Sequence, residues 1–385
     1  MFCEILRSHK YLLNFVELSH KNVVFVLRKG KKRLAANILV VIFTLFAYYC
    51  AYLSPIKYWW AGFLALSIPV CLLTNVIFLL HWFLHKSFRG FISLATLLIG
   101  YPFLESSISL ALGKNIKKNK ANTFSLMSYN VKVFNVYNHL QGKDSINAKS
   151  IIQQVVEDSS DIKCLQEFFC EDDSKVFNTI ERIRQNKKYH YAIAPTKEKR
   201  NNYFGIAIFS RFPIIRAAEV PFPKSKNRGQ FADILIGKDT IRIYNVHLQS
   251  ISLDEEKMFS NESYEELKKT YNNVFKRMKR GFQQRALQTD LLIKHITQSP
   301  YPVILTGDLN DTPYSYTYTS FKNILQNAFE KAGTGFDFSY NGKMFFLRID
   351  NQFFSKKIKI HYFETDRKFT YSDHFPIRAV YELNK

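Results

Sequence analysis

Residues 302–310, PVILTGDLN, decide the fold. Val303, Ile304 and Leu305 favour an extended strand, and Pro302 and Gly307 bound the run. The strand then delivers Asp308 and Asn310 after the glycine, residue types that strand propensity would not choose. The same break recurs along the chain. Asn130 closes SLMSYN, and Glu167 closes KCLQE. In TIRIYNVHL (240–248), the period of two puts Ile241, Ile243, Asn245 and His247 on one face, which turns from apolar to polar. FLRIDNQFF places Asp350 inside an apolar run, and YSDHFPI supplies Asp373 and His374 beside a strand. Singly, each has an ordinary explanation: an Asn or Asp at a strand end forms turns, and a lone His is usually a hydrogen-bonded structural residue. Together, eight such residues from six strand ends make an active-site inventory. Carboxylate and amide oxygens suit Mg²⁺, a hard cation, and imidazoles add proton transfer.

Around these ends, strand signals at 124–131, 161–167, 204–210, 231–237, 240–248, 302–310, 346–355 and 376–383 alternate with helical signals at 147–158, 173–186 and 262–297. The GKD break at 237–239 suits a hairpin. The pattern implies an α/β domain of packed sheets over residues 123–385.

The other part of the chain differs in kind. The 385 residues carry a net charge of +22, with 47% hydrophobic, which excludes a largely disordered chain. Residues 1–120 hold 15 basic and three acidic residues and nearly all the long apolar runs. The remainder holds 39 basic and 29 acidic residues. Five cysteines cannot form a disulfide scaffold, and Cys164 and Cys170 match no zinc-ligand spacing. A basic segment (1–33) precedes a transmembrane region (34–113), with helices expected at about 34–53, 59–82 and 90–112. Glu105 interrupts the third run, for which a re-entrant helix is the alternative. Residues 114–122 read as a basic tether. Eight basic residues before the first span put the N-terminus in the cytoplasm. Three crossings then place the C-terminal domain outside the cytoplasmic membrane; two would better suit the Lys114–Lys120 cluster. A domain beginning near Ala121 is expected to fold without what precedes it.

SYN (128–130), LQE (165–167), YNVHL (244–248), GDLND (307–311), RID (348–350) and SDH (372–374) occur in the order of the endonuclease/exonuclease/phosphatase superfamily. Residues 123–383 resemble that DNase-I-like, metal-dependent phosphoesterase family, and the spans plus tether resemble a membrane-anchored bacterial branch. The resemblance implies a two-sheet α/β sandwich following about three transmembrane helices. It implies Mg²⁺, or Mn²⁺ in its place, on Glu167 and Asn130, with Asp373 near the metal. Asp308 would align or deprotonate the attacking water, steadied by Asn310. His247 would contact phosphate. Asp350 would orient His374 and keep it protonated. Arg285 resembles a recurrent basic residue of the helix before GDLN, with a surface arginine as the alternative reading. Lys132 departs from the acidic residue of the abasic-DNA repair enzymes, which weakens a second metal ligand. Asn351 and Gln352 also depart from the usual aromatic and apolar pair.

The implied function is a membrane-anchored Mg²⁺-dependent phosphodiesterase or phosphatase acting on a lipid headgroup or small phosphoester. A nuclease acting on DNA or RNA is the alternative, and an inactive membrane adaptor is a third reading. The lipid bilayer is the expected partner, with no obligate protein partner.

Overall fold

The computed structural model describes residues 30–111, 122–143, 145–199, 201–223, 225–251 and 264–383. These form two compact units: residues 30–49 with Ser67–Pro102, and Cys50–Leu66 with the chain from Phe103 onward. The expected basic segment and tether lie almost wholly outside the described residues.

The described residues open with five helices: α1 Gly30–Cys50, α2 Trp59–Ala65, α3 Ile68–Leu84, α4 Gly90–Ile99 and α5 Tyr101–Ser107. In the first unit, polar residues face inward. Asn37 donates to Ser93 Oγ at 2.8 Å and accepts from Trp82 Nε1 at 2.9 Å, and Asn75 donates to Thr44 Oγ1 at 2.9 Å. Large apolar side chains such as Leu39, Ile42, Leu73, Ile77, Phe83 and Phe91 are exposed.

Three expected spans are corrected here. Among the described residues, only α1, with 21 residues, is by itself long and apolar enough to cross a membrane; α2 and α3 would count as one further span only as a pair bent by 41°. The third span does not form. α4 has ten residues and ends at Gly100, and α5 adds only seven more. Glu105, expected inside that span, instead pairs with Lys322 and Lys331 at 3.1 Å each. A carboxylate gains far more from two ammonium groups than from burial in hydrocarbon.

The described residues of the second unit form fourteen strands. The first seven are β1 Ser109–Leu110, β2 Thr123–Asn130, β3 Ile162–Glu171, β4 His190–Lys199, β5 Asn202–Ser210, β6 Ile214–Val220 and β7 Arg228–Ile236. They are followed by β8 Asp239–His247, β9 Val303–Asp308, β10 Gln326–Asn327, β11 Thr334–Gly335, β12 Asp350–Phe354, β13 Ile358–Thr365 and β14 Ile377–Leu383. One six-stranded sheet has the order β10-β12-β9-β8-β7-β6, the other β13-β14-β2-β3-β5-β4. Leu126, Ile162 and Ile377 of one sheet pack with Ile234, Ile243 and Ile304 of the other. The outer faces are covered by helices: Ile151, Ile152 and Val155 over Tyr129 and Leu165, and Leu292 and Ile296 of the helix Tyr264–Thr297 over Tyr244 and Leu305. Strands buried on both faces explain why β2 and β9 read as nearly continuous apolar runs.

Within this sandwich the two parallel pairs, β2 with β3 and β8 with β9, bring four chain ends to one edge, with Asn130 opposite Gln166 and His247 opposite Asp308. The expected hairpin joins β7 to β8 through Gly237 at φ 63°, a left-handed position that glycine adopts freely.

The departures at 351–352 have a structural account. Gln352 donates to the Leu126 and Ile377 carbonyls at 3.4 and 3.2 Å and accepts from Tyr381 OH at 2.9 Å, cross-linking the two sheets. Asn351 accepts from Arg348 at 3.0 Å.

Candidate active site

Asp308, the last residue of β9, is buried at the centre of the site. Its Oδ1 accepts from the Asn310 backbone N–H at 2.8 Å. Its Oδ2 accepts from the side-chain amides of Asn130 and Asn310, each at 3.1 Å. Asn310 stands in the left-handed region at φ 51° and also donates to the Leu248 carbonyl at 3.1 Å. The position of Asp308 depends on Gly307, whose φ is 140° and whose absent Cβ would lie 2.0 Å from the Val246 carbonyl oxygen.

Two imidazoles flank this carboxylate. His247 Nε2 lies 3.6 Å from Asp308 Oδ2, and His374 Nε2 lies 3.8 Å from the same atom. His374 Nδ1 is bonded to Asp350 Oδ2 at 2.8 Å. Burial alone would lower the pKa of His374, but the neighbouring carboxylates of Asp350 and Asp308 outweigh it and raise it to about 10. His374 is therefore an imidazolium at neutral pH, with Nδ1–H on Asp350 and Nε2–H turned toward Asp308. Ser339 Oγ accepts from the Ile349 and Asp350 amides at 3.1 and 3.0 Å, and the Tyr340 ring sits edge-on to His374 at 5.5 Å.

Glu167 sits at φ 49° in a bulge of β3, where the pairing with β5 skips between Leu165 and Phe168. A bulge at a left-handed residue re-aims one side chain, and such conformations concentrate at functional sites. Beneath it, Asn245 donates to the Leu165 and Ala207 carbonyls at 3.0 and 2.9 Å and accepts from Gln166 at 2.7 Å. These bonds tie the sheets together just below the bulge. The Glu167 carboxylate is 3.9 Å from His247 Nε2.

Asp373 precedes His374 and adds its negative charge to the field that raises the His374 pKa. Its carboxylate pairs with Lys132 at 3.2 Å, and Lys132 opens a turn of four consecutive left-handed residues after Val131. Arg285 is not a surface residue. It is fully buried, donating to Asp311 at 3.0 Å and to the Gln249 carbonyl at 2.9 Å, and so pins the loop that follows Asp308.

The chemistry of the donor set suits a hard divalent cation. The carboxylates of Asp308 and Asp350 lie within 4.8 Å of one another, and Asp350 Oδ1 is buried without a hydrogen-bond partner. Glu167 adds a carboxylate and Asn130 an amide oxygen, all oxygen donors of the kind Mg²⁺ prefers.

Sequence reasoning missed Ser339, Ser372 and Arg348, and it noted Asn245 without giving it a role. Ser372 Oγ donates to the Asn130 carbonyl at 2.9 Å and thereby locks the end of β2. The polar Asn245 on an apolar strand face and the arginine of RID were the available signals.

The endonuclease/exonuclease/phosphatase family matches residues 127–374, and a domain of unknown function matches residues 30–107. No curated protein matches the chain. Among solved structures, an endonuclease/exonuclease/phosphatase from Bacteroides vulgatus is 16% identical, with a TM-score of 0.51, covering 68% of this chain and 99% of its own. An endonuclease/exonuclease/phosphatase family protein from Bacteroides thetaiotaomicron is 18% identical, with a TM-score of 0.50, covering 68% of this chain and 98% of its own. At these identities the likeness speaks for the fold.

Proposed function

We infer that this chain, which belongs to the endonuclease/exonuclease/phosphatase family, is a membrane-anchored, divalent-metal-dependent phosphoesterase. The observation that carries this reading is the Asp308 carboxylate, held by three hydrogen bonds from Asn130 and Asn310 and set between His247 and a protonated His374. Glu167 and Asn130 would hold the metal, which when bound would neutralise phosphoryl charge. Asp308 orients the attacking water or accepts its proton, and its amide partners keep the receiving oxygen fixed. His374 donates its Nε2 proton toward a non-bridging phosphoryl oxygen as charge builds there, while Asp350 holds the ring in that tautomer. His247 supplies a second donor at the same face. Each aimed donor is worth about 10²–10³ in rate.

The pH dependence follows with a definite sign. His374 acts as a donor only while protonated, so turnover should persist through neutrality and fall as pH rises through about 10. A kcat–pH profile checks this, and an alkaline limb near 6.5 would mean that His374 titrates as an ordinary imidazole.

Support for the anchor comes from the first unit, whose polar residues are buried and whose large apolar residues are exposed, the reverse of a soluble bundle. α1 serves as the span, with α3 and α4 packed on it. Both segments that leave these helices, Cys50–Leu66 and the chain from Phe103, belong to the sandwich unit. Lys31, Lys32 and Arg33 lie at the start of α1. Basic residues favour the cytoplasmic side, so a single crossing by α1 would carry the chain that follows it to the opposite side. That placement favours a lipid headgroup or small phosphoester over the chromosome as substrate.

The test is a substrate panel on the full chain in detergent, with and without EDTA: phospholipid vesicles, sugar and inositol phosphates, DNA and RNA. Metal-dependent release of phosphate or headgroup is expected; cleavage confined to nucleic acid would instead establish the nuclease reading.

A further inference from the structure

We propose that Arg348 is a positioning residue for Asp350, and that it works with residues 105–111 strapped across it. The segment leading out of the N-terminal helices thereby completes the hydrolytic site. The kinetic consequence rests on the phosphoesterase reading above; the structural one rests on the contacts alone.

Arg348 is buried, and its guanidinium reaches both ways. One nitrogen donates to the Ser106 carbonyl at 2.6 Å and to Tyr318 OH at 3.2 Å. The other donates to Asn351 Oδ1 at 3.0 Å. Its plane lies over Phe329 at 4.5 Å. Arg348 and Asn351 therefore bracket Asp350, the first residue of β12 and the partner of His374. A buried cation needs every strong acceptor it has, and the Ser106 carbonyl is the shortest of these bonds.

That carbonyl belongs to a segment fastened along its length. Glu105 pairs with Lys322 and Lys331 at 3.1 Å each, and Ser106 Oγ donates to Glu330 at 2.6 Å. Ser107 Oγ lies 2.8 Å from Tyr314 OH. β1 pairs antiparallel with β11, and Ser109 Oγ donates to the Gly333 carbonyl at 2.8 Å. The other segment next to the apolar helices reaches the opposite flank of the site. Phe63 of α2 packs edge-on to Phe282 at 5.1 Å, and the Arg285 guanidinium that holds Asp311 lies over the same Phe282 ring at 5.3 Å. A sandwich cut from residue 121 would lose both supports.

The experiment uses the full chain in detergent with two substitutions. Glu105→Lys sets a cation against Lys322 and Lys331 and loosens the strap without touching the site; Arg348→Lys keeps the charge and loses the fork. Hydrogen exchange is read at 105–111 and 350–354. Turnover of a chromogenic phosphoester and Mg²⁺ affinity by calorimetry are measured alongside. In Glu105→Lys, exchange should rise together in both segments, by about tenfold or more. The kcat should fall by about 10- to 100-fold, with KM and Mg²⁺ affinity held within about twofold, as expected for a displaced rather than lost catalytic group. Arg348→Lys should give the same pattern. Faster exchange confined to 105–111, with 350–354 and kcat unchanged, would overturn the proposal. If the wild-type chain hydrolyses nothing, the phosphoesterase reading fails, and the exchange of 350–354 still decides whether the strap holds that strand.

Discussion

Changing Asp308 to asparagine is expected to remove about 10²–10⁴ of turnover while the chain still folds. The substitution preserves shape and volume, so the test isolates charge and proton acceptance. Asp308 is an acceptor at both oxygens: one takes the Asn310 backbone N–H at 2.8 Å, the other takes two side-chain amides at 3.1 Å. An amide in its place must point its NH₂ at one of these donor groups, leaving donors facing donors, at a cost of about 1–3 kcal/mol. It also removes a negative charge 3.8 Å from His374 and 3.6 Å from His247. Steady-state kinetics and a thermal melt on the same preparation separate the two effects. Turnover should collapse while the melt stays cooperative and shifts only modestly. Turnover within a few-fold of wild type would exclude Asp308 from the chemistry.

Gly307→Ala is expected to cost about 3 kcal/mol or more in stability and to inactivate the protein as well. Two independent constraints meet at this position. The backbone stands at φ 140°, which residues with a Cβ rarely adopt, and a Cβ would sit 2.0 Å from the Val246 carbonyl oxygen. The contact is backbone on backbone, so no side chain can swing away. β8 and β9 would have to separate where they form the parallel pair at the centre of their sheet. Asp308 follows directly, so any relief of the clash moves the catalytic carboxylate. Chemical denaturation should report a large drop in midpoint with the slope preserved. A midpoint within experimental error of wild type would show that the strands part at little cost.

How much of this was legible in the sequence follows from what each residue does. Asn130, Asp308, Asn310, Asp350 and His374 end or open strands that were readable as apolar runs, and the fold brings all five within hydrogen-bonding or ion-pair reach of a neighbour in the cluster. β4, β6 and β13 were not read. They are the outermost strands or lie exposed: β6 is open to solvent over most of its length, so no alternation of apolar and polar residues marks it. The transmembrane reading failed at residues 90–112 because composition cannot reveal that Glu105 finds two lysines more than 200 positions away in the chain. Arg285 could equally have been a surface residue; its burial depends on Asp311 and Gln249, which only the tertiary fold sets beside it. Asp373 followed the motif in sequence, yet the left-handed turn after Val131 carries Lys132 to its carboxylate. Four consecutive residues of positive φ have no propensity signal in KVFN.

The most direct measurement is hydrolysis of a chromogenic phosphoester by the purified full chain, stripped with EDTA and then titrated with Mg²⁺, beside Asp308→Asn treated in the same way. The account predicts no hydrolysis after stripping, recovery on adding Mg²⁺ in the wild-type chain, and no recovery in Asp308→Asn. Equal recovery in both chains, or hydrolysis indifferent to EDTA, would contradict it.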